Sequence, residues 1–366
     1  MELGFFTMPI HPLGRDWRET LREDQEAFLL ADQLGFREGY VGEHVTDLAE
    51  NITSSAMFLA TLAGRVKTIR LGTGTVNLPN SHPAHVAGQI AMLDHLLDGR
   101  FNFGVSPGGL LSDAEIFGNL DADRNAMFLE GIEAVLKLWT GEAPYDIDGP
   151  TWKITTRRTL TPEIGQGLIA KPLQRPHPPI VVTAVAPFSK GVAAAAARGW
   201  DPISANFLLP KWVATHRRSY EEGCRSGGRP VEFASWRVAK SLFVADARET
   251  ARDYATGPNS PYRHYYKSLF TKLVKNGRGN LFKEDPAMPD EALDFEKVFE
   301  KLALWGTPEE VADKILAFRE EVGPFGVLLY AGHDWADADL ARRSMTLMSE
   351  QVLPRINRAL GRGSAP

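Results

Sequence analysis

Residues 69–105 read IRLGTGTVNLPNSHPAHVAGQIAMLDHLLDGRFNFGV, and the alternation inside this stretch decides the fold class. Ile69 to Thr75 and Arg100 to Val105 are short, rich in β-branched or aromatic residues and bounded by turn formers, which is how strands read. Between them His82-Pro83 opens a helix. Its Val86, Ile90, Leu93 and Leu97 fall on one stripe at the 3.6-residue period, and Gly99 sits just past its end. Strand, helix, strand is the repeating unit of a parallel sheet.

The same rhythm extends outward in both directions. Upstream lie candidate strands Glu2 to Phe6 and Gly39 to Glu43, with helices from Trp17 to Leu34 and near Ala56 to Arg65. Downstream come a helix carrying Phe128, Ile132, Val135, Leu136 and Trp139 on one face, then strands Ile180 to Ala184, Ile203-Ser204, Trp236 to Ala245 and Val327 to Tyr330. Thr307-Pro308-Glu309-Glu310 is a helix start with an N-cap hydroxyl, Pro at the first helical position and Glu where a capping box needs it. Two stretches break the rhythm. Residues 142–179 are rich in Pro, Gly and Thr, and residues 258–297 read as a second irregular segment holding Tyr262, Tyr265 and Tyr266. Connections of that length point to functional insertions. Eight strands alternating with helices predict an α/β fold, a single (β/α)8 TIM barrel spanning residues 1–366, with both insertions forming lids at the C-terminal mouth. A doubly wound open sheet is the competing architecture.

Composition narrows the function class. A net charge of −5 offers no basic footprint for nucleic acid. The single cysteine, Cys224, excludes internal disulfides and cysteine-based metal clusters. No run reaches the roughly 18 apolar residues that a membrane helix needs, and the N-terminus lacks a signal-peptide pattern. A cytoplasmic enzyme without membrane or nucleic-acid partners is the expectation.

In such barrels chemistry sits at the C-terminal ends of the strands. His44 follows the second strand there, and an imidazole can exchange protons near neutral pH. Gly72-Thr73-Gly74-Thr75 lacks the third glycine and the immediate helix of a dinucleotide loop, but its small residues let a flat ring approach the backbone. Ser106-Pro107-Gly108-Gly109 offers the same with a hydroxyl. Ser189-Lys190-Gly191, opening an alanine-rich helix, suits a phosphate as well as a plain N-cap. His82-x-x-His85 has no third ligand nearby, so no metal is expected.

Taken in order, Gly4-Phe5-Phe6, Gly42-Glu43-His44, Arg70 to Gly74, Leu78-Pro79, His82-Pro83, Gly99-Arg100-Phe101, Gly104 to Gly108 and Trp305 to Val311 resemble the bacterial-luciferase-like flavin monooxygenases. Ser106 to Gly109 followed by Ser112-Asp113-Ala114 is most similar to the limonene and diketocamphane monooxygenase branch. The resemblance implies a homodimeric barrel binding FMN, with reduced FMN delivered by a separate flavin reductase. O₂ would react with it to a C4a-peroxyflavin that oxygenates a small hydrophobic substrate of the terpene or cyclic ketone class. It implies acid/base control by His44, a cis peptide under the ring at Gly74-Thr75, and Ser106 beside the flavin. Thr183, Ala184, Ser189, Lys190 and Gly191 would hold the ribityl chain and phosphate. Val45 and Ser106 stand where luciferase has a second histidine and a cysteine, which argues against light emission but not against oxygenation. A deazaflavin-dependent hydride transfer is the alternative activity on the same fold, and a non-catalytic flavin-binding protein a third.

Overall fold

The computed structural model describes residues 1–361; residues 362–366 of the expected domain lie outside the described residues. Eight strands pair in parallel, each with the next: β1 (Glu2–Thr7), β2 (Glu38–Val41), β3 (Arg70–Thr73), β4 (Phe101–Ser106), β5 (Ile180–Ala184), β6 (Asp201–Ser204), β7 (Arg237–Val244) and β8 (Val327–Gly332). β8 returns to β1, with Val327 opposite Glu2 and Gly332 opposite Thr7. These eight strands therefore form a closed ring, which excludes the doubly wound alternative. Parallel neighbours need crossover connections, and helices such as Trp17–Gln33, Pro83–Leu96, Arg124–Thr140 and Pro308–Val322 supply them.

Local chemistry sets the helix starts. His82 caps Pro83–Leu96 by accepting from the Ala84 N–H at 3.2 Å. The capping box at Thr307 and Glu310 forms as the sequence predicts.

The barrel interior alternates with the pleat. Tyr40, Val181, Ile203, Ala239, Val327 and Leu329 pack inside, with Phe6 against them. At the N-terminal end Glu38 and Arg237 form a buried two-point ion pair, with Nε–Oε1 at 2.5 Å and Nη2–Oε2 at 3.0 Å. The Asn102 amide and the Tyr40 hydroxyl donate to the same carboxylate at 3.3 and 3.2 Å. A buried charge pair persists only when hydrogen-bonded all round, and this plug fills one end and leaves the other mouth for chemistry.

Two expectations need correction. Residues 258–297 are helical in their first half and irregular only after it, apart from short turns at Gly279–Phe282 and Asp290–Ala292. Ser260 caps a helix over Pro261–Lys275, and Tyr262, Tyr265, Tyr266, Leu269 and Leu273 form its buried stripe. The i, i+3, i+4, i+7, i+11 spacing was a helical period in which the aromatic content suggested a loop. Ala303–Gly306 is an additional strand, pairing with Ser241–Val244 beyond the barrel part of β7. The first insertion carries a small hairpin, Asp146–Asp148 against Lys153–Thr155.

Candidate active site at the C-terminal mouth

Because all eight strands run the same way, the residues after β2, β3, β4, β5 and β8 meet at one mouth. His44, just beyond β2, lies between two carboxylates. Its Nδ1 is 2.9 Å from Asp113 Oδ2, and its Nε2 is 3.5 Å from Glu50 Oε2. Asp113 belongs to the helix Leu111–Ile116 after β4. It also accepts from the N–H groups of Val45 and Thr46 and from the Thr46 hydroxyl, so the loop that carries His44 is folded around it. Burial pulls the proton affinity of His44 down, but the facing Glu50 and Asp113 outweigh it and hold the imidazole above its usual range. The Asp113 carboxyl, although partly desolvated, is held below its usual range by His44 and Thr46. The arrangement stabilises an imidazolium that can hand over a proton.

The next strands build a hydroxyl–amide network. The Gly74–Thr75 peptide bond is cis. The Thr75 hydroxyl donates to Ser106 Oγ at 2.7 Å, and Ser106 donates to Asn77 Oδ1 at 2.9 Å. The Gly108 N–H also reaches Ser106 Oγ, at 3.2 Å. Asn77 is tied back to Glu43 through its own N–H at 3.3 Å, and Glu43 accepts from the Ser55 N–H and hydroxyl. His44, Gly74, Thr75 and Ser106 thus occupy the ends of three adjacent strands.

β5 sits beside β4 and ends in Thr183 and Ala184. Thr183 shares the inner face with Val181, two residues before it. Beyond it the Ser189 hydroxyl caps the helix Lys190–Ala197, accepting from the Val192 N–H at 3.2 Å, while Lys190 and Gly191 are exposed. These residues share no hydrogen bond with the His44 group among the described residues. Their loop is held from behind. His216 Nε2 meets the Ala186 carbonyl at 3.0 Å and its Nδ1 meets Ser204 Oγ at 2.9 Å, and the Phe188 N–H donates to Thr215 Oγ1.

Sequence reasoning missed several residues. Asp113 stands in Ser112-Asp113-Ala114, where nothing along the chain marks it as a partner of His44. Glu50 carried no signal. Arg124 reaches the Gly108 carbonyl at 3.5 Å, and a Cβ on Gly109 would lie 3.8 Å from Arg278 Nη1. Burial and the nearby Arg124 charge lower the Arg278 proton affinity, and neither arginine has a carboxylate partner among the described residues. His333 follows β8 and is buried. Its Nε2 lies 2.8 Å from Ser241 Oγ, and the rings of Tyr262 and Tyr265 are each 4.4 Å away.

Burial gives a pH prediction. It pushes His333 down to about 3 and His216 down to about 4, so both are neutral in the folded state. The unfolded chain takes up those protons below about pH 6.5, and the folded one does not. The contribution of these two groups to stability is therefore full above pH 6.5 and falls as pH drops, by roughly 1.4 kcal/mol per unit for each group. His11, raised to about 9, is charged in both states in this window and drops out. Urea midpoints are expected to decline steadily from pH 6.5 to 4.5, and less steeply in His216→Asn. A flat profile would contradict the neutral assignments.

Comparison with known proteins matches nearly the whole chain. The family model described as luciferase-like monooxygenase matches residues 1–324. 4-Hydroxyprotoasukamycin monooxygenase of Streptomyces nodosus subsp. asukaensis is 33% identical over 368 residues, covering 98% of this chain and 93% of that protein. Limonene 1,2-monooxygenase of Rhodococcus erythropolis is 29% identical, with 99% and 88% covered. Among solved structures, the oxygenating constituent of 3,6-diketocamphane monooxygenase from Pseudomonas putida, a type II Baeyer–Villiger monooxygenase in complex with FMN, superposes with a TM-score of 0.87 at 26% identity. It covers 97% of this chain and 98% of that one. With the closed barrel and the mouth built around His44, the match over nearly the full length settles the assignment: the chain is an enzyme of the luciferase-like monooxygenase family.

Proposed function

We propose that the protein is the oxygenase of a two-component system. It takes reduced FMN from a separate flavin reductase and transfers one atom of O₂ to a small hydrophobic substrate of the terpene or cyclic ketone class, the second atom leaving as water. The observation that carries this reading is the His44 imidazole held between Asp113 and Glu50, beside the Thr75–Ser106–Asn77 network. Relatives named for limonene and for 2,5-diketocamphane, at 29 and 28% identity over nearly the whole chain, support the substrate class.

The residues fit a flavin phosphate. Arg124 and Arg278 flank Gly108-Gly109 without a carboxylate to balance them, and two like charges held together favour an anion between them. The Lys190 and Gly191 N–H groups, at the start of the helix that follows β5 next to β4, add donors that a helix start leaves free. Thr183 and Ala184 line the approach for the ribityl chain, and Gly74, Thr75 and Ser106 support the ring.

When bound, reduced FMN supplies the electrons that activate O₂. The chain's own residues position and protect. Asp113 orients His44 through Nδ1, and His44 holds the proton that must be delivered when oxygen is transferred. Tyr262, Tyr265, Leu269 and Leu273 cover the mouth with apolar surface and exclude water.

Equilibrium titration tests the cofactor. FMN is expected to bind at least roughly tenfold more tightly than riboflavin, because only FMN brings the phosphate. Equal affinities would remove the phosphate assignment, and a preference for a deazaflavin would overturn the oxygenase reading. The homodimer belongs to the same proposal. Met57, Met92 and Leu96 stand exposed on neighbouring helices, an apolar stripe open to a second copy. Sedimentation at twice the chain mass is expected, and a monomer mass would count against it.

A further inference from the structure

The helix Pro261–Lys275 reaches His44 through one side chain. Lys272 Nζ lies 2.7 Å from Glu50 Oε1 and also contacts Asp47 Oδ2. The other oxygen of the same carboxylate, Glu50 Oε2, faces His44 Nε2 at 3.5 Å and has no hydrogen-bond partner among the described residues. Glu50 is 3% exposed, so solvent does little to screen it. One buried carboxylate is thus shared between an ammonium on the covering helix and the imidazole at the reacting edge.

We propose that Lys272 is a positioning residue for His44: by clamping Glu50 from the covering helix it sets how strongly His44 holds its proton. The inference rests on the reading of His44 as the proton-handling group. The charges facing His44 are Asp113 from the helix Leu111–Ile116, Glu43 from its own segment, Glu50 and Asp47 from the following loop, and Lys272 from above. Three of the four carboxylates are matched by donors of their own. Asp113 has the Thr46 and Val45 groups, Glu43 has Ser55 and Asn77, and Asp47 has the Ala49 N–H besides the Lys272 ammonium that it shares with Glu50. Glu50 alone divides its charge between Lys272 and His44.

The sign follows from Coulomb's law. Lys272 offsets part of the field that Glu50 exerts on the imidazole, so its presence makes the proton easier to release. By linkage the relation is reciprocal. A proton on His44 draws Glu50 away from Lys272 and loosens the seat of the helix, and loss of the proton tightens it. The seating of the helix and the proton on His44 are thereby tied together.

The test is an NMR titration of His44 in the flavin-free protein, with its signal identified by its loss in His44→Gln. It needs neither substrate nor turnover, so its outcome is independent of whether oxygenation is the activity. Lys272→Met is expected to raise the His44 midpoint by roughly one pH unit, and Glu50→Gln to lower it by a similar amount. Lys272→Arg, which keeps the charge, should stay close to the parent. Opposite shifts are what a merely structural lysine cannot produce. Unchanged midpoints in both variants, or shifts of the same sign, overturn the proposal. Should Lys272→Met fail to fold, Lys272→Gln decides in its place: a raised midpoint supports the clamp and an unchanged one rejects it.

Discussion

Replacing His44 by glutamine is expected to lower product formation by roughly 10²–10⁴-fold, the span that a positioned proton donor contributes. Flavin affinity should change by no more than a few fold, because the phosphate and ribityl groups are assigned to other strands. Glutamine keeps a side chain of similar reach and an amide that can still donate to Asp113, so the loop from Val45 to Thr46, bonded to the same carboxylate, should stay in place. What is lost is the exchangeable proton. Reduced flavin should still be consumed by O₂, with hydrogen peroxide appearing in place of product. Steady-state product yield per flavin oxidised is the measurement. A yield near that of the parent would remove His44 from the chemistry and leave Asp113 and Glu50 as structural ions.

The second large effect concerns the barrel itself. A Cβ on Gly104 would lie 1.8 Å from the Thr73 carbonyl oxygen and 2.8 Å from its carbon, both main-chain atoms of the adjoining strand. That strand is fastened to Gly104 from both sides. The Thr73 hydroxyl donates to the Gly104 carbonyl at 2.7 Å and accepts from the Gly104 N–H at 2.9 Å. A flexible side chain could rotate away, but a backbone carbonyl in a closed sheet cannot move without separating β3 from β4. Gly104→Ala is therefore expected to cost about 4 kcal/mol or more and to leave little folded protein at 37 °C. Gly109→Ala is the control. Its Cβ would meet only an arginine nitrogen at 3.8 Å, and thermal melting should be unchanged within about 0.5 kcal/mol. Equal melting of the two variants would show that β3 and β4 are not held as closely as this.

The strands were legible because each is a short apolar run between turn formers, and the eight expected strands are the eight that close the barrel. His44 was legible for a geometric reason: a strand end in a parallel barrel fixes which mouth its next residue faces. Its partners were not. Asp113 stands 69 positions from His44 and reaches it only because β2 and β4 curve toward one mouth. Glu38 and Arg237 are separated by 199 positions and meet only when the barrel closes. No periodicity along the chain encodes such contacts. The covering helix is a different case. Its buried tyrosines and leucines carried a helical period in full view, and Ser260-Pro261 is a helix start. There the signal was present and the aromatic content outweighed it. Arg124 and Arg278 became candidates only when the fold left both beside Gly108-Gly109 with no carboxylate to pair with.

The central claim is that this mouth places one oxygen atom from O₂ into an organic substrate. The direct measurement mixes the protein carrying reduced FMN with ¹⁸O₂ and a panel of monoterpenes and cyclic ketones, followed by mass spectrometry of the products. The account predicts at least one product heavier than its substrate by a single ¹⁸O atom, formed only when protein and reduced FMN are both present. Flavin reoxidation that yields only hydrogen peroxide across the panel, together with substrate turnover on a reduced deazaflavin under argon, would contradict it.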